Sequence, residues 1–483
     1  MTWLVAMVAL ASAQDSDAWR ALLEIPISPD SIAIDLSALS REQAASRLAA
    51  LGPQLVRDRR EPRILLRAAE WLEVIGDSGS LDYATNARNA LLEVTRTPEM
   101  EVQLAEAYVR LYQSDEAQAQ LAKLPAGPLR SRWEGERLRR TVERSAQLEL
   151  VQRGVARWLP LSLAALRRPD DAATWHRTLD QSVEAFEAAV KADPKDPVLH
   201  RLSADAMVAR AYVESAERWM SERKTVELIP LAAFIRFKEA ASFASEDPIA
   251  QAEAYEVRVL HESEKGGEDP SKWPKDATKY LEGLRARLKA IAEGTDPIGA
   301  RQAAEVLALI AVRERRGEEG LKWLEKASSP SSERMEWVRF RVLIGAGKFE
   351  EAVKAAESVP KKETYPDLAF GLAAAYDRLG RTAERDALLI EARAVARFHL
   401  GLMLAHAISE LRRPDGAGLS TAVGLLSEAE SRAGDDPLGD EIRFARAVCY
   451  GILGDLPAAR AALSRIGSMS GSRLIKAKKL AGG

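Results

Sequence analysis

From residue 41 onward, apolar residues recur at three- and four-residue intervals in stretches of roughly three to four helical turns, each closed by Gly or Pro. That pattern predicts a chain of amphipathic helices. Weak alternation occurs only near the start, in Ile25-Pro26-Ile27 and Ile32-Ala33-Ile34-Asp35-Leu36. It predicts an extended lead-in over 14–40 that pairs with or covers the first helices. Ser40 with Gln43 reads as a capping box that starts the helices at residue 41. Between His261 and Asp276 the chain carries Gly266-Gly267, Asp269-Pro270 and Trp273-Pro274, which cannot continue a helix. The expected organisation is therefore a helical array over 41–262, a linker over 263–276 and a second array over 277–483. Arg412 to Gly418 reads as a smaller polar loop.

Within this punctuation small residues return at fixed offsets. The clearest unit runs from Asp440 to Gly467, with Ala447, Tyr450, Gly454-Asp455, Ala459, Leu463 and Ile466. A second carries Phe340, Leu343, Gly347-Lys348-Phe349, Ala352, Ala356 and Val359-Pro360. The next has Ala373, Tyr376, Gly380 and Leu389, but Arg385 stands where an alanine is expected. Leu104, Ala105, Tyr108, Ala117, Leu121, Leu124 and Pro125 form another, with Tyr112 in place of the turn glycine. Leu65, Ala69, Leu72 and Gly76-Asp77 open one more, and Phe186, Ala189 and Asp193-Pro194 close one. In 303–327 only Gly317 is a good anchor, and 126–180 fits no register. Glycine after a first helix permits the left-handed turn that ends it, and alanine on the second lets the pair approach closely.

These offsets resemble the tetratricopeptide-repeat family. The resemblance covers about half the chain in detail and implies an all-α fold: a right-handed α-solenoid of stacked antiparallel helix pairs. It also implies that first helices line a concave groove for a protein or peptide partner. Carried onto the best units, that places Arg334, Trp337, Arg341, Asp367, Phe370, Asp377, Arg378, Glu441 and Phe444 toward the groove. The asparagines on which carboxylate-clamp repeats rely are reduced here to Asn86 and Asn89.

Charge narrows the function classes. The formal net charge is -3, which argues against nucleic acid as a partner. The most basic stretch, Arg130 to Arg144, is interrupted by Glu134, Glu136 and Glu143 and reads as a solvated helix face. Cys449 is the one cysteine and sits among apolar neighbours, as a buried, inert thiol would. Trp3 to Leu10 is a short apolar run followed by Ala11-Ser12-Ala13, an arrangement expected of a signal peptide over 1–13, although no Lys or Arg precedes it. Secretion to the periplasm or beyond is the corresponding expectation. No later run approaches the ~18 apolar residues of an integral span.

Short matches to catalytic motifs fail on context. Gly467-Ser468-Met469-Ser470-Gly471 has the nucleophile-elbow spelling, but it follows a helix and no histidine comes after His406. His261-Glu262 lacks the second zinc ligand, since position 265 is Lys. Ser221 and Lys224 lack the partner motifs of penicillin-binding proteins. His399, His406 and Glu410 share a helix face and read as rim or core residues rather than a metal pair. Gly345-Ala346-Gly347-Lys348 has Val342 and Phe349 where a phosphate loop needs glycine and a hydroxyl. The expectation is a non-catalytic scaffold without cofactor or metal. Its alternatives are a subunit of an envelope assembly or export complex, and a helical-toroid enzyme acting on glycans.

Overall fold

The structure, a computed structural model, describes residues 16–27, 34, 36–146, 169–222, 229–266, 273–327, 333–413, 416–433, 438–467, 469 and 471–482. The expected signal peptide over 1–13 lies outside them, as do Ser468 and Ser470. Every regular element among the described residues is helical. The chain divides into two compact units, Ile34–Val306 and Leu307–Gly483, the latter joined by the residues up to Ala33.

A short helical turn over 16–20, α1, belongs to the second unit. The first unit begins with α2 (Leu36–Arg57), α3 (Pro62–Ile75), α4 (Gly79–Leu92), α5 (Pro98–Arg110), α6 (Ser114–Leu121) and α7 (Pro128–Ala146). It continues with α8 (Pro169–Ala192), α9 (Pro197–Glu222), α10 (Leu231–Phe243), α11 (Pro248–Gly266), α12 (Lys275–Ala292) and the start of α13 (Pro297–Arg313). From α2 to α12 each helix packs on the next, and α2 also lies against α11. Gln302 of α13 donates to the Leu39 carbonyl at 3.2 Å, so this run of helices returns on itself.

The extended lead-in expected over 14–40 is corrected in two respects. Residues 16–20 are helical, and α2 begins at Leu36 rather than residue 41. Ser40 is no cap: its Oγ donates back to the Leu36 carbonyl at 2.8 Å inside the helix. The cause is burial, because Leu36 and Leu39 are fully enclosed and only a helix brings both onto one face. The stretch expected as a linker joins α11 to α12, which pack against each other within the first unit.

The second unit contains α14 (Gly317–Ala327), α15 (Glu333–Gly345), α16 (Phe349–Glu357), α17 (Pro366–Arg378), α18 (Thr382–Val395) and α19 (Leu400–Leu411). It ends with α20 (Leu419–Ala433), α21 (Gly439–Ile452), α22 (Leu456–Ser464) and α23 (Ser472–Leu480). Neighbours in sequence pack as antiparallel pairs. First helices also touch the next first helices, in the order α15, α17, α19, α21, α23. This is a tetratricopeptide-like stack of helix pairs.

One hydrogen bond recurs at the turns. The amide two residues beyond the turn's start bonds back to a carbonyl in the last helical turn: Asp77 to Leu72, Gln113 to Tyr108, Arg316 to Ala311, Lys348 to Leu343, Arg381 to Tyr376 and Asp455 to Tyr450. This closure needs a left-handed residue between. Gly347, Gly380 and Gly454 supply it at φ of 74°, 69° and 78°. Tyr112 and Arg315 adopt φ of 56° and 61° without being glycine, which explains why their units were hard to read.

A second recurring contact was not legible in advance. Phe340 of α15 lies where a Cβ on Gly371 of α17 would stand, 3.0 Å away, and Phe370 of α17 sits likewise at 2.8 Å against Gly401 of α19. Each ring fills the place of a missing side chain on the next first helix.

The basic stretch of α7 is also corrected. Arg139 and Arg140 are buried rather than solvated, and Glu136 is buried beside them. Arg140 pairs with Glu73 of α3 and with Glu136, while Arg110 of α5 reaches Glu73 at 2.7 Å. The charges join α3, α5 and α7 because each guanidinium taken from water is met by a carboxylate.

Candidate functional site

The first helices of the second unit end side by side, and residues 16–27 lie across those ends. Trp19 is buried against α21, where its ring occupies the space above Gly451: a Cβ there would fall 2.2 Å from the indole. Arg20 Nε donates to the Leu411 carbonyl at the end of α19, at 3.3 Å. Arg412 donates to the Leu23 carbonyl. At the end of α17, Arg378 donates to the Ile25 carbonyl at 3.2 Å, and the Ile25 amide donates to Asp377 at 3.5 Å. The segment thus crosses from α21 to α17, opposite to the order of the repeats.

Side chains complete the seat. Trp19, Leu22, Leu23 and Ile25 are all buried in the core of the second unit. Glu24 pairs with Arg378 and stands 4.0 Å from Arg473 of α23. Burying four such side chains contributes roughly 1.5–3 kcal/mol each. Fixing the backbone that carries them costs roughly 1–2 kcal/mol per residue. The two are of the same order, so the charged and main-chain bonds at Asp377, Arg378 and Arg412 decide whether the segment stays.

The seat's charges are also paired among themselves. Asp377 is buried and accepts from Arg385 at 2.7 Å, from Arg412, and approaches Arg378 at 3.7 Å. Glu441 holds Arg473 at 2.8 Å. Burial pushes the Glu441 carboxyl upward, against the pull of Arg473.

The residues expected to line a groove therefore separate into four groups. Asp377, Arg378 and Glu441 belong to the seat. Phe370 and Phe444 are interior: Phe370 packs on Gly401, and Phe444 lies under Arg473 with the guanidinium 5.3 Å from the ring centroid. Trp337 and Arg341 form a stack at the start of the unit, with Arg341 4.5 Å over the indole, which lies 6.1 Å from Phe340. Asp367 accepts from His399 at 3.0 Å, and that hydrogen bond holds its carboxyl below the usual range. The side chain of Arg334 lies outside the described residues. Sequence reasoning missed Trp19, Glu24, Arg412, Gly451 and Arg473. Ile25-Pro26-Ile27 had marked the segment as extended, but nothing local marks a partner 352 residues away.

Other candidates resolve as structural. His399 caps α19 by accepting from the Leu402 amide at 3.3 Å, and His406 lies 2.9 Å from Arg393. His261 stacks on Phe234 with centroids 5.4 Å apart. Among the described residues no cluster of potential metal ligands forms. Cys449 is buried, and burial pushes its thiol up to about 11. Glu253 is buried and pushed up to about 7 by loss of hydration, while Arg201 at 3.0 Å opposes the shift. No helix among the described residues is long and apolar enough to cross a membrane.

No family model matches the chain. No curated protein matches it. Solved structures similar to it include the yeast Tom70 crystal structure, at 11% identity and a TM-score of 0.41 over 92% of this chain and 96% of that one. The APC/C hetero-tetramer Cut9-Hcn1 is similar at 11% identity and 0.37, over 92% and 94%. The P58(IPK) TPR domain is similar at 13% and 0.26, over 88% and 95%. The assignment to stacked helix pairs stands on the pairing and turn geometry described above.

Proposed function

We propose that the chain is a non-catalytic scaffold that holds a short segment of a protein partner, a helical turn running into extended chain, across the ends of α17, α19 and α21. One observation carries this reading: the seat grips main chain, through Arg412 on the Leu23 carbonyl and through Arg378 and Asp377 on Ile25. A site that holds carbonyls and amides is suited to peptide, whose side chains then select among sequences. Glu136 and Glu253, whose pKa values burial and neighbouring arginines shift, are packed inside the helix stack rather than in a cleft, which supports a non-enzymatic role.

The apolar run Trp3 to Leu10 and the Ala11-Ser12-Ala13 that follows support a place outside the cytoplasm. Cleavage after Ala13 would leave Gln14 first, just ahead of α1. The mass of the exported chain checks that step.

Panning a random dodecapeptide library on the full chain tests the binding role. Enrichment of a shared sequence pattern is expected on a Trp19→Ala chain, weaker enrichment on the unaltered chain, and its loss when Arg412→Glu, but not Arg412→Lys, is added. Enrichment that ignores the charge at 412 would refute this seat as the site.

A further inference from the structure

We propose that residues 16–27 are a built-in competitor for this seat, and that its external ligand is a protein segment with the same side-chain pattern. That pattern is a tryptophan, then a Leu-Leu pair, a carboxylate and a branched apolar residue, as in Trp19, Leu22-Leu23, Glu24 and Ile25. The inference rests on the peptide-binding reading above and specifies its ligand.

The seat is shaped for one occupant. Gly451 leaves room for a flat ring and for nothing on its own Cα, so an indole fits where a Cβ would collide. Arg378 and Arg473 flank the position of Glu24, so a carboxylate is favoured there over a neutral or basic side chain. Arg412 and Arg378 take the carbonyls on either side.

The seat is also built to be vacated. When the segment leaves, Asp377 keeps Arg385, Arg412 and Arg378, and Arg473 keeps Glu441. No charge in the seat is orphaned. What departure uncovers is the apolar surface beneath Trp19, Leu22, Leu23 and Ile25, which a second apolar segment would cover again. The segment is part of no helix pair, and its covalent route back to the seat runs through the whole of the first unit. A ligand that binds only the open state must displace it, so apparent affinity falls by the fraction of chains that are open.

Fluorescence polarisation with a fluorescein-labelled peptide of residues 16–27 tests this on the full chain. The unaltered chain is expected to bind it weakly. Trp19→Ala, which weakens the internal occupant, is expected to bind at least tenfold more tightly. A peptide with alanine for its tryptophan should not bind, and adding Gly451→Val to the Trp19→Ala chain should abolish uptake. A second version guards against misfolding: a protease site placed within 28–33 lets the link be cut after folding. The labelled peptide should then replace the cut segment, whereas a cut segment that stays and admits no label would overturn the proposal. Tightening absent from a Trp19→Ala chain with native circular dichroism would overturn it too, as would uptake that depends on exchange of segments between two copies, read by light scattering. If library peptides still enrich while the labelled segment never enters, the competitor is wrong and the binding role survives. If no library peptide enriches even on the Trp19→Ala chain, the binding role itself has failed.

Discussion

Arg385 on α18 meets Asp377 on α17 at 2.7 Å, in a second-helix position where Ala352 stands in the preceding repeat and Ala459 in α22. Arginine replaces alanine here because Asp377 gathers charge at the end of α17. Removing that carboxylate takes from Arg385 and Arg412 the acceptor they share, leaving Arg385 with Asp386 and Arg412 with the Leu23 carbonyl. Asp377→Ala is expected to destabilise the second unit by about 3–5 kcal/mol, the usual penalty for breaking a buried pair from one side. Urea unfolding checks the loss. Amide exchange at Ile25 should rise in the same variant, since its acceptor is gone.

The first unit is expected to show two opposed acid titrations. Loss of hydration would raise Glu136, but Arg139 and Arg140 outweigh it and hold the group at about 2 against an ordinary 4.5. Its contribution is present above pH 4.5 and is lost as pH falls toward 2. Glu253 is raised from 4.5 to about 7, so its contribution is full below 4.5 and is lost as pH rises toward 7. Each is on the order of 3 kcal/mol at ~1.4 kcal/mol per unit. Urea midpoints across pH 2 to 7 should fall on both sides of a maximum. Glu253→Gln should remove the decline on the neutral side and leave the acid side in place.

Close approach of α13 to α15 depends on Gly345. A Cβ there would lie 1.8 Å from Val312 Cγ1. Gly345→Ala is expected to cost about 1–3 kcal/mol through overpacking. Val312→Ala in the same chain should recover part of that loss, and a double-mutant cycle should return a favourable coupling of about 0.5–3 kcal/mol. Additive effects would show that the two residues do not share the space.

Arg315 holds a left-handed conformation with φ of 61° and an exposed side chain. Left-handed geometry costs an ordinary residue about 1–2 kcal/mol, of which glycine's extra unfolded-state entropy returns about half. Arg315→Gly is therefore expected to stabilise the second unit by about 0.5–1 kcal/mol, measured by thermal or urea unfolding. Arg315→Ala, which keeps the strained geometry, should gain nothing.

What the sequence made legible was what local spacing controls. Gly347, Gly380 and Gly454 announced their turns because glycine alone takes that geometry without cost, and Ala352 and Ala459 announced close helix contacts. Tyr112 and Arg315 hid the same turn, because the surrounding stack imposes it on residues that do not favour it. The seat was half legible. Asp377, Arg378 and Glu441 could be placed from repeat offsets, but Trp19 could not, since its partner Gly451 is distant in sequence and a glycine announces no ring. Phe370 was misread as surface because the glycine that receives it lies on the next repeat. Arg140 was misread as solvated because its carboxylate partner Glu73 is on another helix, and Arg139 because its partner Glu136 is buried with it.

The segment carrying Trp19 leaves the ribosome before any helix of the stack, and its resting place between α17 and α23 is made only after the whole of the first unit. Until those helices emerge, its indole and leucines stay without their native cover. Such a long-range closure is intrinsically slow. A holding factor that shields those few side chains in the meantime would speed the yield of finished molecules without touching the repeats at all.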